Sequence, residues 1–258
     1  MRSVRAKKGL GQHFLKDQEI ASSIVAALQE KIDDQAVLEI GPGMGILTAP
    51  LLQLEWSSLH VIEIDKESID YLKGQFPQLD EYLITGNFLK LDLSSLGNPN
   101  LAIIGNFPYN ISSQILFKVL DNLPKVNLLV GMFQKEVAER LASDPGSKKY
   151  GILSVLLQAY FDIEYLFTVG ADKFKPPPKV ESAVIRLVRN DRESLGCDAQ
   201  LFRRVVKGGF NHRRKTLRNS LKLTLSMPIE IDSHYLKMRA EQLSVDDFIA
   251  LTNMLDKS

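Results

Sequence analysis

Seven short, largely apolar runs, at 36–40, 59–64, 82–85, 101–105, 127–133, 162–169 and 181–188, punctuate the first three-quarters of the chain. Most are separated by stretches of helical period, including 112–121, 134–143 and 152–160, and Asp17 is placed to cap a helix with Ile20, Ile24, Val25 and Leu28 on one face. A strand that is apolar on both sides needs cover on both sides. The pattern therefore predicts an α/β fold with a mostly parallel seven-stranded sheet between helices, the last strands adding antiparallel.

The run 36–40 leads into Gly41-Pro42-Gly43-Met44-Gly45, then a helix start. Glycines there let the backbone approach a ligand closely. Glu63 follows Gly41 by 22 residues at the end of the next strand, where an acid can hold a ribose hydroxyl pair. The spacing departs from the dinucleotide fingerprint, since Ile46 stands where the third glycine would pack a helix. Glu39, just before the turn, suits a ligand with an amino group, such as the methionine part of S-adenosylmethionine.

A second motif, Asn106-Phe107-Pro108-Tyr109, follows the run 101–105. The Asn106 amide oxygen can accept from an exocyclic amine, Pro108 rigidifies the turn, and Tyr109 offers a stacking face. Alone this is an ordinary strand-end turn. Gly41, Glu63, Asn87 and Asn106 all fall at carboxyl ends of strands, where such sheets bind ligands, so the two motifs together point to one crevice for an adenine-bearing ligand.

At 258 residues and 45% hydrophobic, the chain can bury a large core with a small appended domain. The lone Cys197 excludes an internal disulfide and fits a reducing compartment. No apolar stretch follows the basic N-terminus, so neither a secretory leader nor a membrane span is expected. The three remaining histidines, His60, His212 and His234, form no metal-ligand spacing, and no metal is expected.

Net charge is only +1, yet residues 199–222 hold eight basic side chains and no acid. Lys207, Arg214, Arg218 and Lys222 recur at spacings of seven, four and four, as on one helical face, while Phe202, Val205, Val206, Leu217 and Leu221 pack elsewhere. A basic run without interspersed acids favours phosphate binding by Lys207, Arg213, Arg214, Lys215, Arg218 and Lys222. The polar stretch 191–199 reads as a linker. The expected division is a catalytic domain over 1–192 and a small α-helical nucleic-acid-binding domain over 193–258.

Six motifs in order now support a resemblance. They are Lys8-x-Leu10-Gly11-Gln12-His13-Phe14-Leu15, Glu39-Ile40-Gly41-Pro42-Gly43, Asn106-Phe107-Pro108-Tyr109-Asn110-Ile111-Ser112, Gln134-Lys135-Glu136-Val137, Phe174-x-Pro176-Pro177-Pro178-Lys179-Val180 and Phe210-Asn211-x-Arg213-Arg214-Lys215-Thr216-Leu217. The chain resembles the small-subunit ribosomal RNA adenine N6,N6-dimethyltransferases, relatives of the erythromycin-resistance rRNA methyltransferases. That resemblance implies a Rossmann-like methyltransferase fold with S-adenosyl-L-methionine as methyl donor. Its implied substrate is a pair of adjacent adenosines near the 3′ end of small-subunit (16S) rRNA. A role in biogenesis of that subunit, a cytoplasmic location and a monomeric state go with it.

By position, the resemblance implies that His13, Leu15, Gly41, Gly43, Glu63, Asn87 and Asn106 bind the cofactor. Asn106, Phe107, Pro108 and Tyr109 would present the target adenine, with Phe174 covering its other face. The family more often carries Asp at Asn87 and Asn at His13. An Asn87 oxygen can still accept from the cofactor's adenine amine, without the charge. Rival readings are a DNA adenine methyltransferase, a non-catalytic nucleic-acid-binding factor and a nicotinamide-dependent oxidoreductase. The last is disfavoured by the glycine spacing.

Overall fold

A computed structural model describes residues 4–225 and 231–257 of the chain. In chain order its main elements are β1 (Phe14–Leu15), α1 (Gln18–Gln29), β2 (Ala36–Ile40), α2 (Thr48–Leu51), β3 (Leu59–Glu63), α3 (Lys66–Gln75), β4 (Leu83–Thr85), β5 (Leu101–Asn106) and α4 (Ser112–Asp121). Then come β6 (Val126–Gln134), α5 (Lys135–Leu141), α6 (Ile152–Gln158), β7 (Phe161–Val169), β8 (Phe174–Lys175), β9 (Ser182–Arg189), α7 (Ala199–Asn211), α8 (Leu217–Thr224) and α9 (Val245–Asp256).

Seven strands form one sheet in the order β4-β3-β2-β5-β6-β9-β7. The pairs from β4 through β6 are parallel, and β9 runs antiparallel to β6. All five residues of β2 are buried, as are the first five of β5, which is why these runs carry no polar alternation. Asp17 caps α1 by accepting from the Glu19 and Ile20 amides at 3.1 and 3.2 Å. The α1 face of Ala21, Ile24, Val25 and Leu28 is buried against the sheet. Outside the main sheet, β1 and β8 form a two-stranded antiparallel ladder with Leu15 opposite Phe174. Neither run is long enough to read from periodicity.

Two glycines shape the middle of the sheet. Gly105 of β5 lies directly opposite Gly131 of β6, and the Phe107 ring fills the space both leave. A Cβ on Gly105 would meet the Phe107 ring at 2.7 Å and the Ile40 carbonyl at 2.8 Å.

Backbone contacts group the chain into two compact units, residues 1–138 with 163–189, and residues 139–162 with 190–258. The second unit thus includes α6 and the end of α5, upstream of the 192/193 boundary drawn from the charge shift.

Within the second unit Lys207, Arg214, Arg218 and Lys222 do not share the one helical face that their spacing suggested. α7 stops at Asn211 and α8 starts after Thr216, so Arg214 sits in the intervening turn. The reason lies in Gly208 and Gly209. Added Cβ atoms there would meet Leu221 at 3.2 Å and Leu217 at 2.8 Å, so α8 folds back onto a flat, side-chain-free patch of α7. The apolar half of that reading holds, since Phe202, Val205, Val206, Leu217 and Leu221 are all buried.

Candidate active site

Gly41, Gly43, Glu63, Asn87 and Asn106 line one cavity of about 920 Å³, open mouth included, at the carboxyl ends of β2, β3, β4 and β5. His13, Phe107, Pro108 and Tyr109 line it too. Gly41 has φ +65°, and a Cβ built on it would meet no atom within 4 Å. The space beside that glycine is thus open for a ligand, and any other side chain would be strained there and intrude on it.

Glu63 closes the cavity floor. One carboxylate oxygen accepts from the Gly43 amide at 3.2 Å, the other from the Ile64 and Asp65 amides at 2.8 Å each. Burial raises this carboxyl above its ordinary range despite those three donors.

Glu39 lines a smaller pocket that shares Phe14, Gly41, Gly43 and Asn106 with the large one and adds Leu15. Burial pushes the Glu39 carboxyl up to about 8, against a hydrogen bond from Thr48 and with the nearby Glu63 charge adding to the rise. The Thr48 hydroxyl donates to it at 2.7 Å. Glu39 is therefore neutral near pH 7 in the empty cavity, and a cationic ligand beside it would favour loss of that proton.

Asn106 is oriented by the N-terminal arm, its Nδ2 donating to the His13 carbonyl at 2.9 Å. The planar amide therefore leaves Oδ1 as the edge for a ligand. Pro108 (φ −58°) begins a turn closed by Ile111 and Ser112, which donate to its carbonyl at 3.2 Å each.

Tyr109 stacks on the His13 ring, with centroids 5.4 Å apart and planes 27° from parallel. Phe107 does not stack on anything in the cavity through a free face. Its ring is 1% exposed and wedged over Gly105 and Gly131, so only its backbone carbonyl is left to act on a ligand.

One expectation changes. Phe174 is 2% exposed, packs in the same core cluster as Leu15 and does not line the cavity. Its place in β8 opposite β1 turns it inward. Asn87 uses Oδ1 to cap the turn 88–90, accepting from the Leu89 amide at 2.9 Å. The second lone pair of that oxygen and the Nδ2 hydrogens remain for a ligand.

From the arm the sequence reading named only His13 and Leu15 as cofactor residues. Leu10, Gly11 and Gln12 also line the cavity. Lys7 forms an ion pair with Asp65, and Gln12 donates to Asp65 at 3.2 Å while accepting from the Lys7 amide at 2.9 Å. The available signal was Asp65, which lies two residues past Glu63 and is 2% exposed. Among the described residues, no three His, Cys, Asp or Glu side chains are placed to hold a metal ion. No described helix is long and apolar enough to cross a membrane.

Of the six basic residues singled out, Lys207, Arg214, Lys215 and Lys222 are exposed. Arg213 is half-buried, donating to Glu241 at 3.0 Å and to the Ser147 carbonyl at 3.2 Å. Arg218 is half-buried too and donates to the Ile231 carbonyl at 3.1 Å.

The family model for ribosomal RNA adenine dimethylase matches residues 3–257. The chain is 58% identical over 255 residues to ribosomal RNA small subunit methyltransferase A of Cytophaga hutchinsonii, covering 99% of each chain. A dimethyladenosine transferase structure from Plasmodium falciparum aligns with TM-score 0.78 at 27% identity, over 95% of this chain and 98% of that one. The 23S rRNA methyltransferase ErmE aligns with TM-score 0.68 at 24% identity, over 93% and 99%, a likeness of fold.

Proposed function

The chain belongs to the ribosomal RNA adenine dimethylase family, and from that premise we propose how its residues divide the work. The enzyme transfers methyl groups from S-adenosyl-L-methionine to N6 of two adjacent adenosines near the 3′ end of small-subunit rRNA, giving N6,N6-dimethyladenosines. The observation that carries the assignment of the site is the convergence of Gly41, Glu63, Asn87 and Asn106 on one cavity beside Tyr109.

The residues present fit the methyl donor. The open space at Gly41 admits its methionine portion, Glu39 would favour its positive charge on giving up a proton, and a Glu63 oxygen can accept from a ribose hydroxyl. Asn87 Nδ2 can donate to an adenine ring nitrogen. His13 and Leu15 wall the site with Gly43. When bound, S-adenosyl-L-methionine supplies an electrophilic sulfonium methyl.

The adenine N6 lone pair is delocalised into its ring, so the amine is a poor nucleophile. Asn106 Oδ1 and the Phe107 carbonyl would each accept one N6 hydrogen, which turns the lone pair out toward the methyl. Tyr109 would stack on the ring. Alignment of this kind is worth up to about 7–11 kcal/mol, and no strong base need act before attack. The amine proton is acidified once the new C–N bond forms and can leave afterwards to water. The target base must first unstack, at about a few kcal/mol, less in a single-stranded loop.

The exposed Lys207, Arg214, Lys215 and Lys222 would bind rRNA phosphates, with Arg213 and Arg218 shaping the surface from half-buried positions. The assembling small subunit is the proposed partner, the cytoplasm the proposed location and the monomer the proposed state. Catalytic work would fall to 1–192 and RNA binding to 193–258.

The test is incubation with labelled S-adenosylmethionine and unmethylated small subunits, followed by nuclease digestion and mass spectrometry. Dimethyladenosine at neighbouring positions near the 3′ end is the expected result. Label confined to DNA or to large-subunit RNA would overturn the substrate, and cofactor binding without transfer would point to a binding factor.

A further inference from the structure

The Tyr109 hydroxyl lies 2.5 Å from the Ser182 hydroxyl. Ser182 is fully buried at the start of β9, opposite Gln134 of β6, and no part of the mechanism above uses it. The other constraint on the tyrosine comes from the same stretch of chain. His13, which stacks on Tyr109, is itself held through Nδ1 by the Pro176 carbonyl at 2.8 Å. Segment 176–182 therefore fixes Tyr109 twice, at its hydroxyl directly and at one ring face through His13. Burial raises the Tyr109 hydroxyl, so it stays neutral and serves as an anchor rather than a base.

We propose that Ser182 is a positioning residue that sets the plane of the Tyr109 ring and thereby the yield of the second methyl transfer. The proposal rests on the assignment of Tyr109 as the stacking platform. In the first transfer, the target amine has two N–H groups for the two acceptors at Asn106 and Phe107. After it, one N–H has been replaced by a methyl, and one of those two anchors is lost. Alignment in the second transfer then depends more on stacking, and a ring free to tilt costs that step most. Misplacement of a reacting group by about 1 Å lowers rates roughly a hundredfold.

The experiment compares wild type, Ser182→Ala, Tyr109→Phe and the double variant on unmethylated small subunits. It reads single-turnover rates and the ratio of mono- to dimethyladenosine, with cofactor affinity and melting temperature measured alongside. Ser182→Ala should slow the second transfer about tenfold more than the first and accumulate monomethyladenosine, with cofactor affinity unchanged. Tyr109→Phe lacks the anchored hydroxyl and should do the same, and the double variant should be no worse than either.

An unchanged product ratio in Ser182→Ala would overturn the proposal, as would losses that multiply in the double variant. Should Ser182→Ala fail to fold, Tyr109→Phe alone decides, since a wild-type product ratio there leaves the hydroxyl no role. A wild type that methylates no adenosine would instead sink the functional reading itself.

Discussion

The Asn106 side chain donates to the His13 backbone carbonyl at 2.9 Å, so the end of β5 and the N-terminal arm fix each other. The bond decides which edge of the amide faces the cavity. Substitution of the donor should therefore be damaging even where the acceptor is kept. Asn106→Ala should lose at least about a hundredfold in methyl transfer while still folding. Asn106→Asp keeps an acceptor of the same shape but sets a carboxylate oxygen against the His13 carbonyl, and should also lose at least about tenfold. Transfer rates with circular dichroism as the folding control check both, and near-wild-type turnover in either variant contradicts the assigned role.

Glu39 gives the cofactor-free protein a pH signature. Its folded carboxyl keeps its proton up to about 8, against an ordinary value of 4.5. A raised carboxyl favours the folded state at low pH. Its contribution is complete below the lower value, declines as pH rises between the two by up to about 1.4 kcal/mol per unit, and is constant above. Glu39→Gln keeps an acceptor for Thr48 and should flatten this component. Denaturation midpoints of both proteins between about pH 5 and 9 give the comparison, and parallel curves would remove Glu39 from the account.

The glycine pair under Phe107 should resist substitution. Gly131→Ala or Gly105→Ala forces a methyl into the space of a ring that is 1% exposed, at a cost of about 1–3 kcal/mol or more. Because Phe107 lies between Asn106 and Pro108, transfer should fall as well. Urea denaturation together with turnover tests this, and unchanged stability in both variants would show that the ring relaxes freely.

Exposed cations should tune RNA affinity through salt. Loss of Lys222 or Lys207, if each neutralises one phosphate, should lower the slope of log K against log salt by about 0.9 per residue. Filter binding of small-subunit rRNA over a salt series measures it. An unchanged slope in both variants would move the RNA surface elsewhere. Cofactor affinity should not change.

The middle of the sheet was readable because its strands are buried on both faces, which leaves an unbroken apolar run with sharp ends. The cavity was readable for a related reason, since strand ends are where the run stops, and Gly41, Glu63 and Asn106 stand there. What escaped was set by contacts distant in sequence. Phe174 turns inward because of Leu15, far upstream of it, and Ser182 matters only once β9 lies beside β6. The basic run carried a helical charge period, but Gly208 and Gly209, which fold α8 back on α7, are silent in such a count. Asn87 shows a third kind of failure. Residue type indicated what its amide can do, and only the fold showed that one lone pair of its oxygen caps the Leu89 amide.

The division of the chain into interleaved units also bears on its synthesis. The ribosome delivers 139–162 long before 190–258, the segment with which it forms a unit, and in the meantime must still deliver 163–189 to finish the other. The first unit can close once residue 189 has emerged, but 139–162 must wait for the rest of the second. The nascent chain carries an open sheet edge on β6 until β9 emerges, and apolar residues of α6 lack their cover for longer.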